Sequence, residues 1–352
     1  MRGRAPLWLP LIAVWALACR TPEVPAPPNL LLVVVDALRA DHLGCYGYPL
    51  PTSPNIDRLA RESVVFDQAF AHSTWTKPSV ATLLTSLYPS RHGLGRMAVE
   101  TDAGHRAEVL SRRHLTLAEQ LAKHGYATGA FGANVHLQRK TGFAQGFDRF
   151  ESVRLLTASE LDGRWRAWLA TGVAEPWAAY LHLMDAHWPY DRYLPLAEAE
   201  AASPGVNPFG DPTLAPEPPE SWQAVAGWAE RHLDAANLAA LRARYDAEIA
   251  FLDAAMGELL AWLAERGLAE RTVVVLTADH GEGFYEHGQL QHSFRPYEEV
   301  SRVPLLVRTP TAFGIRPGRV AEPVGLVDLA PTLLKLAGAP PLPDAAGVSL
   351  VP

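Results

Sequence analysis

The chain has 352 residues, 48% of them hydrophobic, enough for one large domain or two ordinary ones with a sizeable core. Its formal net charge of −7 leaves no basic surplus to neutralise phosphates and release counterions. This argues against a nucleic-acid-binding protein and leaves room only for a local pocket for anions.

At the start of the chain, Arg2 and Arg4 precede an apolar stretch from Ala5 to Leu17 that closes on Ala18, and residues 1–18 read as a secretion signal. Interrupted by Pro6 and Pro10, the stretch falls short of the about 20 apolar residues a membrane-spanning helix needs. Ala16-Leu17-Ala18-Cys19 looks like a bacterial lipobox, which implies cleavage before Cys19, lipidation of its thiol and a membrane-anchored lipoprotein of the cell envelope. A soluble periplasmic or secreted form is the alternative. Residues 19–28 follow as a Pro-rich tether. With Cys19 lipidated, Cys45 stands alone, so stability has to come from the core and a bound metal instead of a disulfide.

Asn29 to Val35 is a continuous apolar run rich in β-branched residues, as in a strand buried on both faces of a parallel sheet, and it stops at Asp36. The pattern recurs before Asp279 (271–279) and, more weakly, before Asp185 (178–185) and Asn134 (126–134). Amphipathic helical segments at 115–124 and 236–266 alternate with these strands, which gives an open α/β sheet with ligands bound beyond the strands' carboxyl ends. Between Thr76 and Leu87, apolar positions 80, 83, 84 and 87 trace one face of a helix that starts near Thr76. Thr76 is then an N-cap, and its hydroxyl also lies where helix amides attract an anion. Residues 200–222 read as a Pro-, Ala- and Glu-rich surface excursion.

Asp36, Asp279 and His280 are hard to explain as packing, because two acids ending buried strands are costly unless paired or metal-bound. A divalent cation resolves that cost.

Val-Val-Val-Asp36-Ala-Leu-Arg39-Ala-Asp41-His42-Leu-Gly44, followed by Pro54-Asn55-Ile-Asp57, resembles the opening of the sulfatase family. The segment Thr76-Lys77-Pro78-Ser79-Val80 through His92-Gly93 resembles its nucleophile segment, and Asp279-His280-Gly281-Glu282 its second metal segment. Tyr297 to Pro304 and Val327 to Thr332 resemble the strand and closing segment that follow, in the right order. The resemblance implies a three-layer alkaline-phosphatase-like α/β fold over 29–352, a mostly parallel central sheet flanked by helices. It also implies that the smaller C-terminal subdomain of larger sulfatases is missing. The implied metal ligands are Asp36, Asp279, His280 and the Thr76 oxygen, which the strand ends and the helix start had already singled out. Sulfatases place Cys or Ser at Thr76 and convert it to formylglycine, with Arg at Val80 and a sulfate-binding Lys at Ala133. A direct Thr76 alkoxide, as in Thr-bearing phosphatase and transferase relatives, is the reading that fits this chain.

Lys77 either supplies the missing charge or points to solvent. Asn134 is a turn residue or a neutral donor to the anion. Asp185-Ala-His187 resembles the segment that meets the leaving side, and His292-Ser293 the place of another substrate-contacting cation. Either His187 and His292 assist the leaving group at a one-metal site, the preferred reading, or Asp185, His187 and His292 hold a second metal. His42, His72, His92, His136 and His287 read as structural or surface residues. Three oxygens and one imidazole suit Ca²⁺ or Mn²⁺, with Mg²⁺ and Zn²⁺ as further choices. The expected activity is hydrolysis of sulfate or phosphate esters on a small, glycan-linked or lipid-linked substrate. Headgroup transfer within the envelope and non-catalytic binding are the rivals.

Overall fold

The computed structural model describes residues 26–95, 108–154, 156–190, 222–292 and 295–351. The signal, the lipobox with Cys19, nearly all of the tether, Ser293 and the 200–222 excursion up to residue 221 lie outside them. Among the described residues thirteen strands form three sheets. The central one contains β1 (Asn29–Val35), β2 (Val64–Phe66), β4 (Ala127–Gly132), β5 (Arg149–Ser152), β6 (Trp177–Leu183), β7 (Thr272–Ala278), β11 (Leu305–Arg308) and β12 (Gly318–Val320). Their spatial order is β12-β2-β11-β7-β1-β6-β4-β5. Smaller sheets join β3 (Ala69–Phe70) to β10 (Arg302–Val303) and β13 (Val324–Gly325), and β8 (Gly283–Phe284) to β9 (Leu290–Gln291).

β1 lies in the middle, parallel to β6 and β7, and all seven of its residues are buried. That is why its sequence is apolar without alternation: both faces are covered. β4 and β5 extend the parallel run, whereas β11 pairs antiparallel to both β7 and β2, so the sheet is mostly and not wholly parallel. Register brings Val35 beside Leu183 and Ala278, so Asp36, Asp185 and Asp279 emerge at one edge. The four apolar runs seen in the sequence are β1, β7, β6 and β4, and the segments 115–124 and 236–266 are the helices Leu117–Lys123 and Ala235–Glu265. One face is covered by the helices at 76–85, 117–123 and 329–336, the other by those at 54–61, 158–170 and 235–265.

The long helix also stiffens the front of the fold. Asp253, buried in it, accepts from the amides of Asn55 (3.0 Å) and Ile56 (2.7 Å) and from Asn55 Nδ2 (2.8 Å), capping the Pro54–Arg61 helix from outside. Burial pushes this carboxyl up to about 6 against the pull of those donors. Asp253→Ala should cost about 2–3 kcal/mol, a lost cap plus orphaned amides. Urea denaturation checks this, and a loss under about 0.5 kcal/mol would contradict it.

Candidate active site

Asp36 leaves β1 with its amide still donating to Leu183 O at 2.8 Å. The next residue, Ala37, has φ +60°, the left-handed region that costs a non-glycine residue about 1–2 kcal/mol. Tyr245 of the long helix holds this turn: its hydroxyl donates to Ala37 O and accepts from Arg39 N, each at 2.8 Å. The carboxylate is thereby aimed across the sheet edge.

Thr76 is the first residue of the helix Thr76–Thr85, with Trp75 in the extended cap position and no side chain capping it. The expectation that Thr76 is itself the N-cap is therefore corrected. Its hydroxyl is engaged elsewhere, donating to Asp36 Oδ2 at 3.1 Å. One turn on, Ser79 Oγ donates to Asp279 O at 2.5 Å and ties the helix to the end of β7.

Asp279 Oδ1 accepts from the amides of His280 (3.0 Å) and Ala37 (3.4 Å). His280 Nδ1 lies 2.9 Å from Gly281 O, which leaves Nε2 facing Asp36 Oδ1 at 3.3 Å and Asp279 Oδ2 at 3.6 Å. Gly281 permits this packing, because a Cβ there would lie 2.1 Å from Glu299 O. Asp36 Oδ1, Asp279 Oδ2 and His280 Nε2 are buried without hydrogen-bond partners. One possible ligand atom from each of these residues lies within 4.8 Å of the others. Orphaned polar atoms of this kind, two anionic oxygens and an imidazole nitrogen converging, fit a divalent cation.

The electrostatics agree. Burial opposes the charge of Asp36, yet the hydrogen bond from His182 and the fields of His187 and His280 outweigh it and hold the carboxyl well below its ordinary range. Asp279, desolvated and facing Asp36, is pushed up to about 6. Burial would lower His280, but Asp279 and Asp36 raise it to about 10. Cation binding must therefore displace a proton from His280 near neutrality. Apparent metal affinity should rise about tenfold per pH unit from roughly pH 6 to 9, with about one proton released per ion in calorimetry. A flat profile would contradict the assignment of His280.

Asn134 lies inside the group and serves both readings: its Oδ1 accepts from His136 N at 2.7 Å and shapes the turn, while Nδ2 donates to Asp36 Oδ2 at 2.6 Å and lies 3.2 Å from Thr76 Oγ1. His292 packs 4.2 Å from the His280 ring and 5.1 Å from the His187 ring, centroid to centroid, and its Nδ1 pairs with Glu282 Oε1 at 3.1 Å. His187 Nδ1 lies 2.8 Å from Trp188 O. Asp185 accepts from Ala158 N at 3.0 Å through Oδ1 at the start of the helix 158–170, and its Oδ2 is buried without a hydrogen-bond partner. Lys77 is buried instead of pointing to solvent, with Nζ 3.5 Å from Glu108 O and 5.9 Å from the centre of the Trp75 ring. Of the histidines read as structural, His42 pairs with Asp246 at 2.7 Å, and His287 pairs with Glu299 at 2.7 Å and stacks on Tyr297. Three residues of the site had no role assigned from sequence: Glu282, Tyr180 and His182, the last two buried on β6. A histidine interrupting an apolar buried strand was the available signal, because such a group needs a partner.

An eight-stranded, mostly parallel sheet with a convergent acid, acid, imidazole and hydroxyl group at its carboxyl edge defines an alkaline-phosphatase-like α/β protein. A sequence profile of the Sulfatase family matches residues 28–339, and the chain belongs to that family. It is 30% identical to mouse steryl-sulfatase over 90% of this chain and 62% of that protein, and 31% identical to human arylsulfatase A over 90% and 65%. The chain thus spans less than two thirds of the length of these two relatives. Among solved structures, the phosphonate monoester hydrolase of Agrobacterium radiobacter superposes with a TM-score of 0.68 at 22% identity, covering 92% of this chain and 76% of that one. A 2-O GAG sulfatase superposes with a TM-score of 0.72 at 22% identity, covering 93% and 74%. These likenesses show the fold.

Proposed function

We propose that the protein is a metal-dependent hydrolase of sulfate, phosphate or phosphonate esters that uses Thr76 as its nucleophile. The observation that carries this is the buried Thr76 hydroxyl on Asp36 Oδ2, beside three ligand atoms without hydrogen-bond partners. Asp36, Asp279 and His280, with Thr76, would hold one divalent ion, Ca²⁺ or Mn²⁺ by ligand type. When bound, that ion supplies positive charge that favours the alkoxide form of Thr76 and screens a nonbridging ester oxygen.

The chain's own residues do the rest. Thr76 Oγ1 forms the bond to the sulfur or phosphorus centre as the ester oxygen departs, and Asn134 Nδ2 donates to that nucleophile or to the anion. In this reading His292, paired with Glu282, or His187 hands a proton to the leaving oxygen and later takes one from the water that frees Thr76. Among the described residues one group of acids and imidazole converges closely enough to hold an ion, Asp36, Asp279 and His280, which supports one ion over two. Hydrolysis is favoured over headgroup transfer by the relatives, which are named as sulfatases and phosphonate monoester hydrolases. A screen of aryl sulfate, phosphate monoester, phosphodiester and phosphonate monoester, each with and without added metal, is the direct test. No metal-stimulated turnover of any of them would sink the proposal.

Export and anchorage through Cys19 rest on the N-terminal sequence alone. We propose them on that ground, and the mass of the mature N-terminus from a membrane fraction decides between a lipidated Cys19 and a plain signal cleavage.

A further inference from the structure

Asp36 Oδ2 is crowded: Thr76 Oγ1 reaches it at 3.1 Å, Asn134 Nδ2 at 2.6 Å and His182 Nε2 at 3.0 Å. Its other oxygen, Oδ1, has no hydrogen-bond partner and faces His280. One carboxylate therefore presents two different edges, one saturated by donors and one bare. Two of the three donors belong to the reacting group or stand beside it. The Thr76 bond is lost when its proton leaves, and Asn134 is shared with Thr76. The donor from β6 is the one independent of the nucleophile.

That donor has its own support. His182 Nδ1 lies 2.7 Å from the Tyr180 hydroxyl, two residues back on the same face of β6. Both side chains are buried, and the parallel register sets Tyr180 beside Leu32 and His182 beside Val34, directly behind Asp36. An ionised carboxylate only accepts, so the proton of the His182–Asp36 bond sits on Nε2. In the neutral ring Nδ1 then accepts from the Tyr180 O–H. The Tyr180 hydroxyl stays protonated, since burial and the nearby Asp279 and Asp36 push it far above its ordinary value. Tyr180, His182 and Asp36 thus form a continuous chain of hydrogen bonds, fixed on a central strand.

We infer that His182, oriented by Tyr180, is a positioning residue that locks the rotation of Asp36 so that Oδ1, and not Oδ2, is offered to the cation. This rests on the metal reading above. Partners of this kind orient a ligand and typically change metal affinity by about 10–100-fold when removed.

The test is calorimetric titration of apo protein with Mn²⁺, and the electron spin resonance spectrum of bound Mn²⁺, for wild type, His182→Phe, His182→Gln and Tyr180→Phe. His182→Phe should weaken Mn²⁺ binding by about 10–100-fold and broaden the spectrum. His182→Gln, which returns an N–H donor at similar reach, should recover most of the affinity, and Tyr180→Phe should lose about 3–10-fold. A merely structural role would lower melting temperature without this donor-dependent order in affinity. Should His182→Phe not fold, the Gln and Tyr180 variants decide alone. Affinities within about twofold of wild type across the folded variants would overturn the inference while leaving the metal reading intact. A wild-type chain that binds no Mn²⁺, Ca²⁺, Mg²⁺ or Zn²⁺ would overturn both.

Discussion

Thr76→Ala should lower kcat/KM for every ester the protein hydrolyses by roughly 10³-fold or more, while leaving the fold in place. The hydroxyl makes one of three hydrogen bonds to Asp36 Oδ2, so its loss still leaves that oxygen two donors. The stability change should be about 1 kcal/mol. Thr76→Ser restores the oxygen and should return activity to within about tenfold of wild type, the difference reflecting a side chain freer to rotate without its methyl. Steady-state kinetics on aryl sulfate and phosphonate substrates, beside a thermal melt, separate the outcomes. Retained turnover in the alanine variant would remove Thr76 from the mechanism. A covalent adduct trapped on Thr76 in wild type, by rapid acid quench and peptide mass analysis, would place the new bond directly.

Asp279→Asn should make the metal-free protein more stable and the metal-loaded protein relatively less so. Above about pH 6 the apo protein keeps two buried carboxylates facing one protonated imidazole, and burial plus Asp36 has moved Asp279 up from 3.8 to about 6. An acid whose folded pKa is raised gives up stability as pH rises. The penalty is absent below the unfolded value, grows up to the folded value and is complete above it. At about 1.4 kcal/mol per unit, neutralising Asp279 should return about 1–3 kcal/mol at pH 8 and almost nothing at pH 4. Asparagine keeps an oxygen for the amides of His280 and Ala37. With metal at about 100 times Kd, wild type should gain about 2.7 kcal/mol and the variant less than about 0.5. Chemical denaturation at both pH values, with chelator and with metal, reads all four terms. A variant destabilised at pH 8 in chelator would show that Asp279 is paired and not strained.

Much of this was legible in the chain. β1 and β7 announce themselves because a strand covered on both faces has no reason to alternate, and each ends on an acid that only function explains. Asp36, Asp279 and His280 followed from that, and Thr76 from the helix that starts there. What stayed hidden depended on partners far away in sequence. His182 matters because register sets it behind Asp36, 146 residues earlier, and no local pattern records a register. Asp185 looks like its acidic neighbours at the strand ends until the helix at 158–170 starts beside it and takes one oxygen. The cap position of Thr76 was misassigned because Trp75, with extended backbone, takes it, while the Thr76 hydroxyl donates across the fold to Asp36. The left-handed turn at Ala37 left no mark at all, since alanine is not the residue a positive φ predicts.

The central position of β1 also bears on how the protein wears out. Its backbone is paired on both sides, to β6 and β7, its side chains are buried, and Tyr245 of the 31-residue helix fastens the turn beyond it. Amides there should exchange with deuterium only through opening of the whole molecule, and Asp36 sits at the end of that slowest-exchanging strand. Heating is then expected to keep Asp36 in place until the fold itself opens. For the proposed activity, the temperature at which turnover fails is expected to coincide with the melting temperature, read by assay and thermal melt side by side.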